Sequence, residues 1–368
     1  MGLHCKHVSW SRLLIKHSNY WLVGYILSLK VHCYFILNSP NSSLTVGIGN
    51  MKNREITGRD GVPSKHYDTE WIKSAWGTVG AEDFLKDPDS NIRPRVQTAL
   101  DIRPIEGGMK VLDVGCGRGE VVIYAAKRGA EAYGVDYSLE VINLARQVVS
   151  RLSQDEQARV HLYHQDLKTI PFDNEMFDRV YMLDLVEHLY DWELDGLLER
   201  VQRILKHTGV IVIHTLPNRW VYDVAYQMLR RLIPVLPKDP RGKQERKIHV
   251  NEQTVLSIYE LFTRHRFYCK VFLSEELSRQ ANWYAAERFG DKRDRLYRLL
   301  RNPLVRAALK CITYMPIKLL LLNDIYAVAA KSKSSLPEAR FGGYEWEKHL
   351  IRLASRRQGK RRCRISDA

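Results

Sequence analysis

The stretch Val111-Leu-Asp-Val-Gly-Cys-Gly-Arg-Gly-Glu120 places a carboxylate, Asp113, just ahead of three glycines at 115, 117 and 119. An apolar run that turns through glycines into a helix lets backbone N–H groups and the helix start meet a ligand closely. Asp136 closes the next apolar run, about 20 residues on, where a carboxylate can accept both hydroxyls of a ribose. A nucleoside-bearing cofactor fits both features. The spacing is G-x-G-x-G, and the third glycine of a dinucleotide fingerprint would fall at position 120, which is Glu120.

The rest of the set narrows the cofactor. His164-Gln-Asp166-Leu167 ends a third apolar run, and Phe177-Asp-Arg-Val is followed by Asp184-Leu-Val-Glu187-His188-Leu. In this order the residues resemble the class I S-adenosylmethionine-dependent methyltransferases, over about 105–275 plus 323–331. The resemblance implies S-adenosyl-L-methionine as cofactor. It also implies that Gly115, Cys116, Gly117 and Gly119 line the methionine and ribose, with Asp113 near the amino group. Asp136 would hold the ribose hydroxyls, and Asp166 would accept from the adenine amino group. Leu167 and Tyr137 would lie against the ring, and Leu183 would touch the methionine end.

Methyl transfer to a hydroxyl needs somewhere for its proton to go. His188 is the first candidate base, with Glu187 beside it, because an ordinary imidazole titrates near neutrality. The other reading of Glu187-His188 is a pair that ties the strand end to neighbouring backbone. Asp184-x-x-Glu187-His188 with a distal His249 also resembles the metal set of ubiquinone-biosynthesis O-methyltransferases and small-RNA 2′-O-methyltransferases. Such ligands suit a divalent metal that polarises neighbouring hydroxyls. The expected cofactor is S-adenosylmethionine without a metal, and the metal stays the minor alternative.

The elements that must hold these residues alternate strand and helix, which predicts an α/β fold with a doubly wound parallel sheet. Strands are expected at 109–114, 132–136, 159–166, 177–185 and 209–216, with helices at 119–128, 138–152 and about 192–205. A helix at 251–267 and strands at 268–274 and 323–331 follow. Seven strands result, and the resemblance implies a Rossmann-like, mostly parallel sheet whose last strand is antiparallel. Helical insertions at 217–247 and 287–322 interrupt the pattern. Both mix apolar with basic residues: Trp220, Tyr222, Val224, Ala225, Met228, Leu229 and Leu232 with Arg230 and Arg231 in the first, and an Arg/Leu-rich run over 292–318 in the second. That mixture suits a membrane surface or a lipid-like acceptor, and equally a lid helix packed on the domain. Contact with a membrane surface is expected through 217–236 and 292–318.

The formal charge of +15 is unevenly spread: residues 1–50 hold four bases and no acid, residues 331–368 hold eleven bases against four acids, and 51–330 is left with +4. The basicity belongs to the ends, so a nucleic-acid partner is not demanded. An RNA methyltransferase using the basic tail as a tether, and a non-catalytic cofactor-binding subunit at a membrane, are the rival readings. Six scattered cysteines without a C-x-x-C pair indicate neither a zinc site nor a disulfide framework, and fit a reducing cytosol. Residues 20–37 are apolar but broken by Lys30 and His32, leaving about ten clean positions where a span wants roughly 20. The expected organisation is a non-core extension over 1–50, read as an overextended translation start, then a methyltransferase domain over 51–331 and a basic flexible tail over 332–368. The expected location is the cytoplasm, peripheral at the inner face of the membrane.

Overall fold

The computed structural model describes residues 61–63, 66, 87, 92–166, 169, 172–232, 238–239, 245–273, 302–304, 307, 311, 315–337 and 349–352. The expectations for 1–50, and for most of 287–322 and 338–368, lie outside these residues. All described residues belong to the unit that begins at Asp60.

Helix α1 (Pro94–Ile102) starts with proline in its first turn, where the missing N–H is not needed. Strand β1 (Lys110–Val114) leads through the glycines into α2 (Glu120–Lys127), and β2 (Glu131–Asp136) into α3 (Leu139–Val149), which Ser138 caps by accepting the Val141 N–H. The short α4 (Gln154–Gln157) has a capping box from Ser153 and Glu156 and precedes β3 (Val160–His164). Strand β4 (Phe177–Leu183), α5 (Asp191–Ile204) and β5 (Leu205–Thr215) follow. After a π-helical stretch at Val221–Tyr226 come α6 (Gln227–Leu232), α7 (Glu245–Ile248), α8 (Val255–Arg264) and β6 (Tyr268–Leu273). Helix α9 (Lys318–Leu321) and β7 (Ile325–Ala330) complete the fold.

The sheet runs β3-β2-β1-β4-β5-β7-β6. Strands β1 to β5 pair in parallel, and β7 is antiparallel to both β5 and β6. This is the Rossmann-like, seven-stranded sheet with an antiparallel last strand that was expected. Successive strand side chains point to opposite faces, and two cores result. Leu112, Val180, Met182, Ile211 and Ile213 face α5 and α8, while Val111, Tyr181, Val210 and Val212 face α1 and α2. The apolar runs lack polar alternation because both faces are covered.

Two features differ from the expected layout. Helix α1 has no counterpart in the sequence reading, although Val96, Ala99 and Leu100 are buried at helical spacing. In the basic C-terminal stretch, Leu336 is buried and Leu350 and Ile351 pack on the larger core, so these residues are held by the domain. Among the described residues no helix is long and apolar enough to cross a membrane.

Candidate active site

Asp113 and Asp136 lie near the carboxyl ends of adjacent strands, and the glycine loop rises beside them. Gly115, Gly117 and Gly119 all have left-handed backbone, with φ of 73°, 54° and 88°. Other residue types enter that region at a cost. The amides of Gly115 and Cys116 both reach the Val135 carbonyl, at 2.8 and 3.1 Å, which ties the loop to β2. The Gly117 amide donates to Asp136 Oδ2 at 3.1 Å and the Ser138 amide to Oδ1 at 3.0 Å. Burial raises the Asp136 carboxyl against the pull of these amides. Asp113 is raised to about 8 by burial, with Glu120 and Asp136 adding to the shift, and burial pushes the Cys116 thiol well up.

Beyond β4 the chain makes a single 3₁₀ turn, Val186–His188. Leu185 of this turn lies on the glycine loop: a Cβ placed on Gly115 would meet its Cδ1 at 3.1 Å. The turn that bears Glu187 and His188 therefore starts against the loop. Thr215, at the end of β5, donates to Glu187 Oε2 at 2.7 Å, and the Asn251 amide donates to the Glu187 carbonyl at 3.0 Å. That second bond brings the segment after α7 against the turn, with the His249 and His188 rings 4.8 Å apart, edge to face. Burial and then His249 lower the His188 imidazole to about 3, where an ordinary near-neutral value was expected. Burial, followed by the Asp184 charge, raises Glu187 to about 8.

Glu187, His188 and His249 offer ligand atoms that all lie within 4.8 Å of one another. Asp184, the first acid of the metal set named above, is not in this group. Its carboxylate meets Arg95 Nε at 2.8 Å and Arg93 Nη1 at 3.5 Å, and it is hydrogen-bonded to His214 Nδ1. His214 is fully buried and reaches Asp324 Oδ1 with its other nitrogen at 2.8 Å. Burial alone would lower His214, but Asp184 and Asp324 raise it to about 9, and Asp184 is held well below the usual carboxylate range.

Arg93 carries this network on to the glycine loop. It binds Glu120 with its backbone amide at 2.8 Å and its side chain Nε at 2.6 Å, and Arg118 meets the same carboxylate at 2.9 Å. Burial works against the Glu120 charge, but the two guanidinium groups bring its carboxyl down to about 2. Arg93, Arg95, Arg118, Glu120, His214 and Asp324 were not among the expected site residues.

The adenine side is less complete. Asp166 is exposed two residues beyond β3, and Leu167 lies outside the described residues. Tyr137 is half-buried, its hydroxyl donating to the Val62 carbonyl at 3.3 Å. Leu183 is buried at the end of β4, beside the loop strand β1.

A family model described as "Methyltransferase domain" matches residues 111–209, which run from β1 into β5. Over that stretch the chain is similar to methyltransferase domains. Among curated relatives, "Methyltransferase GfsG" of Streptomyces halstedii is 27% identical over 149 residues, 40% of this chain and 51% of the relative. "Ubiquinone biosynthesis O-methyltransferase" of Bradyrhizobium diazoefficiens is 32% identical over 114 residues, 31% of this chain and 42% of the relative. The chain thus spans about half the length of the curated relatives it matches. A solved structure of Haemonchus contortus phosphoethanolamine N-methyltransferase 2 with S-adenosyl-L-methionine matches 72% of this chain and 60% of its own, with a TM-score of 0.47 and 18% identity.

Proposed function

We propose that the protein transfers a methyl group from S-adenosylmethionine to a hydroxyl oxygen of a small or lipid-like acceptor. The observation that carries this reading is the seating of Leu185 on Gly115, which brings the start of the turn that bears Glu187 and His188 against the glycine loop. The loop also suits the cofactor. Its left-handed glycines leave backbone bare, and Asp136, which accepts the Gly117 and Ser138 amides, keeps lone pairs for ribose hydroxyls.

In this reading Asp136 holds the ribose, and Asp166, Leu167 and Tyr137 hold the adenine. Asp113, Gly115, Cys116, Gly117, Gly119 and Leu183 surround the methionine end. When bound, the cofactor supplies an electrophilic methyl carbon, and its sulfur keeps the electron pair of the carbon–sulfur bond that breaks. The chain's residues align the hydroxyl and exclude water. As the oxygen bonds to carbon, its proton goes to the uncharged His188 imidazole, and the step should quicken as pH rises through about 8, where Glu187 ionises and its charge steadies the imidazolium. The pair is 4.0 Å apart, with side chains 12% exposed for His188 and 1% for Glu187.

The acceptor class draws on two things: the apolar and basic insertion after β5, and the O-methyltransferase relative of ubiquinone biosynthesis. The same insertions are the basis for a peripheral membrane contact through 217–236 and 292–318, and the scattered cysteines for a cytoplasmic location. The convergence of Glu187, His188 and His249 favours a second reading, in which these three hold a divalent cation. Such a cation lowers the pKa of a hydroxyl bound to it.

One experiment separates the readings. Full-length protein is incubated with methyl-labelled cofactor and with separate lipid, small-molecule and RNA fractions, with and without a chelator. Label in the lipid or small-molecule fraction, resistant to chelator, is the expected result. In the same assay E187Q and H188A should bind cofactor normally but transfer at least about 100-fold more slowly. Loss of transfer on chelation, restored by a divalent metal, moves the assignment to the second reading. Label in RNA overturns the acceptor class, and cofactor binding without transfer to any fraction leaves a non-catalytic binding subunit.

A further inference from the structure

We propose that Val224, Met228, Ile317 and Leu321 form a docking surface for an anionic lipid bilayer. The inference rests on the lipid-like acceptor reading in one respect, that such a substrate would reach the site from the bilayer. The four side chains are 37%, 50%, 42% and 40% exposed and make up half of the exposed large hydrophobics among the described residues. They form two pairs, each four residues apart in helical backbone, so each pair shares a helix face.

The two pairs come from different parts of the chain, and the segments that carry them are tied together. The π-helical stretch Val221–Tyr226 packs on α9. Asn218, fully buried, donates through its side-chain amide to the Leu319 and Leu322 carbonyls at 2.9 and 3.0 Å, and its backbone amide reaches the Asn323 carbonyl at 2.8 Å. Apolar side chains gathered on neighbouring helical segments can form the contiguous patch that marks an interaction site.

Position and charge name the partner. The insertion leaves β5 just after Thr215, the residue that bonds Glu187, and β7 enters the sheet with Ile325 paired to Thr215. The apolar pairs are therefore attached to the sheet edge that carries the Glu187–His188 turn. Residues 217–247 hold eight Lys and Arg against three acids, and Arg231, Lys238, Arg246 and Lys247 are exposed. Basic groups attract an anionic leaflet while apolar side chains enter the headgroup boundary. An RNA groove would have no use for four aliphatic side chains, and a purely apolar protein partner none for the positive charge.

The test is co-sedimentation of the full-length protein with vesicles of phosphatidylcholine, alone or mixed with phosphatidylglycerol. Salt-sensitive binding to the anionic vesicles is expected. The variant V224S/M228S/I317S/L321S should bind them at least about ten-fold more weakly, because each truncation removes apolar area that membrane entry would bury. R231E/K247E should lose the preference for anionic vesicles. Isothermal titration with S-adenosylmethionine on the same preparations keeps the two proposals apart: unchanged cofactor binding shows that the variants are folded, and a wild type that sediments with vesicles but binds no cofactor sinks the methyltransferase reading alone. Vesicle binding that survives the four serines overturns the docking surface. So does a wild type that binds RNA or self-associates but does not sediment with vesicles.

Discussion

Asp136 is committed to the protein before any cofactor arrives. Its two oxygens accept from Gly117 and Ser138, so the carboxylate both shapes the glycine loop and begins α3. Removing it therefore confounds folding with binding. D136N is the cleaner change, because the amide oxygen can still accept from Ser138 while the charge and one acceptor are lost. A hydrogen bond to a charged group is worth about 1.5–3 kcal/mol, so S-adenosylmethionine should bind about 10- to 100-fold more weakly to D136N. The melting temperature should fall less than in D136A. Titration calorimetry with thermal melts reads both, and unaltered affinity would mean that the ribose lies elsewhere.

Helix α1 is held less by propensity than by Arg93 at its start, which joins it to Glu120 at the head of α2 and to Asp184 after β4. R93M takes away one of two guanidinium groups from a buried carboxylate. Breaking a buried pair costs about 3 kcal/mol or more, and hydrogen exchange should quicken over 94–102. With E120Q as partner, the double variant should be less damaged than the two single losses added together. Additive losses would show that the contact does not hold the helix. The same element explains what could be read from the chain and what could not. The strands stood out because runs such as Val210-Ile-Val-Ile are buried on both faces, and the glycine loop because its spacing is local. Helix α1 has only nine residues, too few for its apolar period to rise above the flanking Arg93 and Arg95. The charge network joins residues 27, 30 and 110 positions apart, which no local pattern records. One signal was visible: His214 is an ionisable group inside an apolar strand, and such a group must find partners. The role first given to His188 assumed an ordinary imidazole, and only the packing of the 249–251 segment shows how far burial lowers it.

At the scale of the domain, His214 fastens three strands at the carboxyl edge of the sheet. It sits on β5 between Asp184, just after β4, and Asp324, just before β7, and through Asp184 it reaches both arginines at the start of α1. Its pH dependence follows from the direction of each shift. The unfolded chain releases the His214 proton near 6.5 and the folded chain only near about 9, so the stabilisation is complete below 6.5 and lost as pH rises through 9. Asp184 is lowered, so its share is complete above its ordinary value of 3.8 and lost as pH falls below it. The network is therefore strongest between about pH 4 and 6.5. Glu187, raised from 4.5 to about 8, also costs the folded state stability, a loss that accrues as pH rises between those two values, so the wild-type melting curve alone cannot isolate His214. The comparison with H214Q, neutral at every pH, does so. Wild type should melt well above H214Q at pH 6, and the gap should narrow steadily towards pH 9.5. Parallel curves across that range would mean that His214 is buried as a neutral ring and that hydrogen bonds without ionic charge join the three strands.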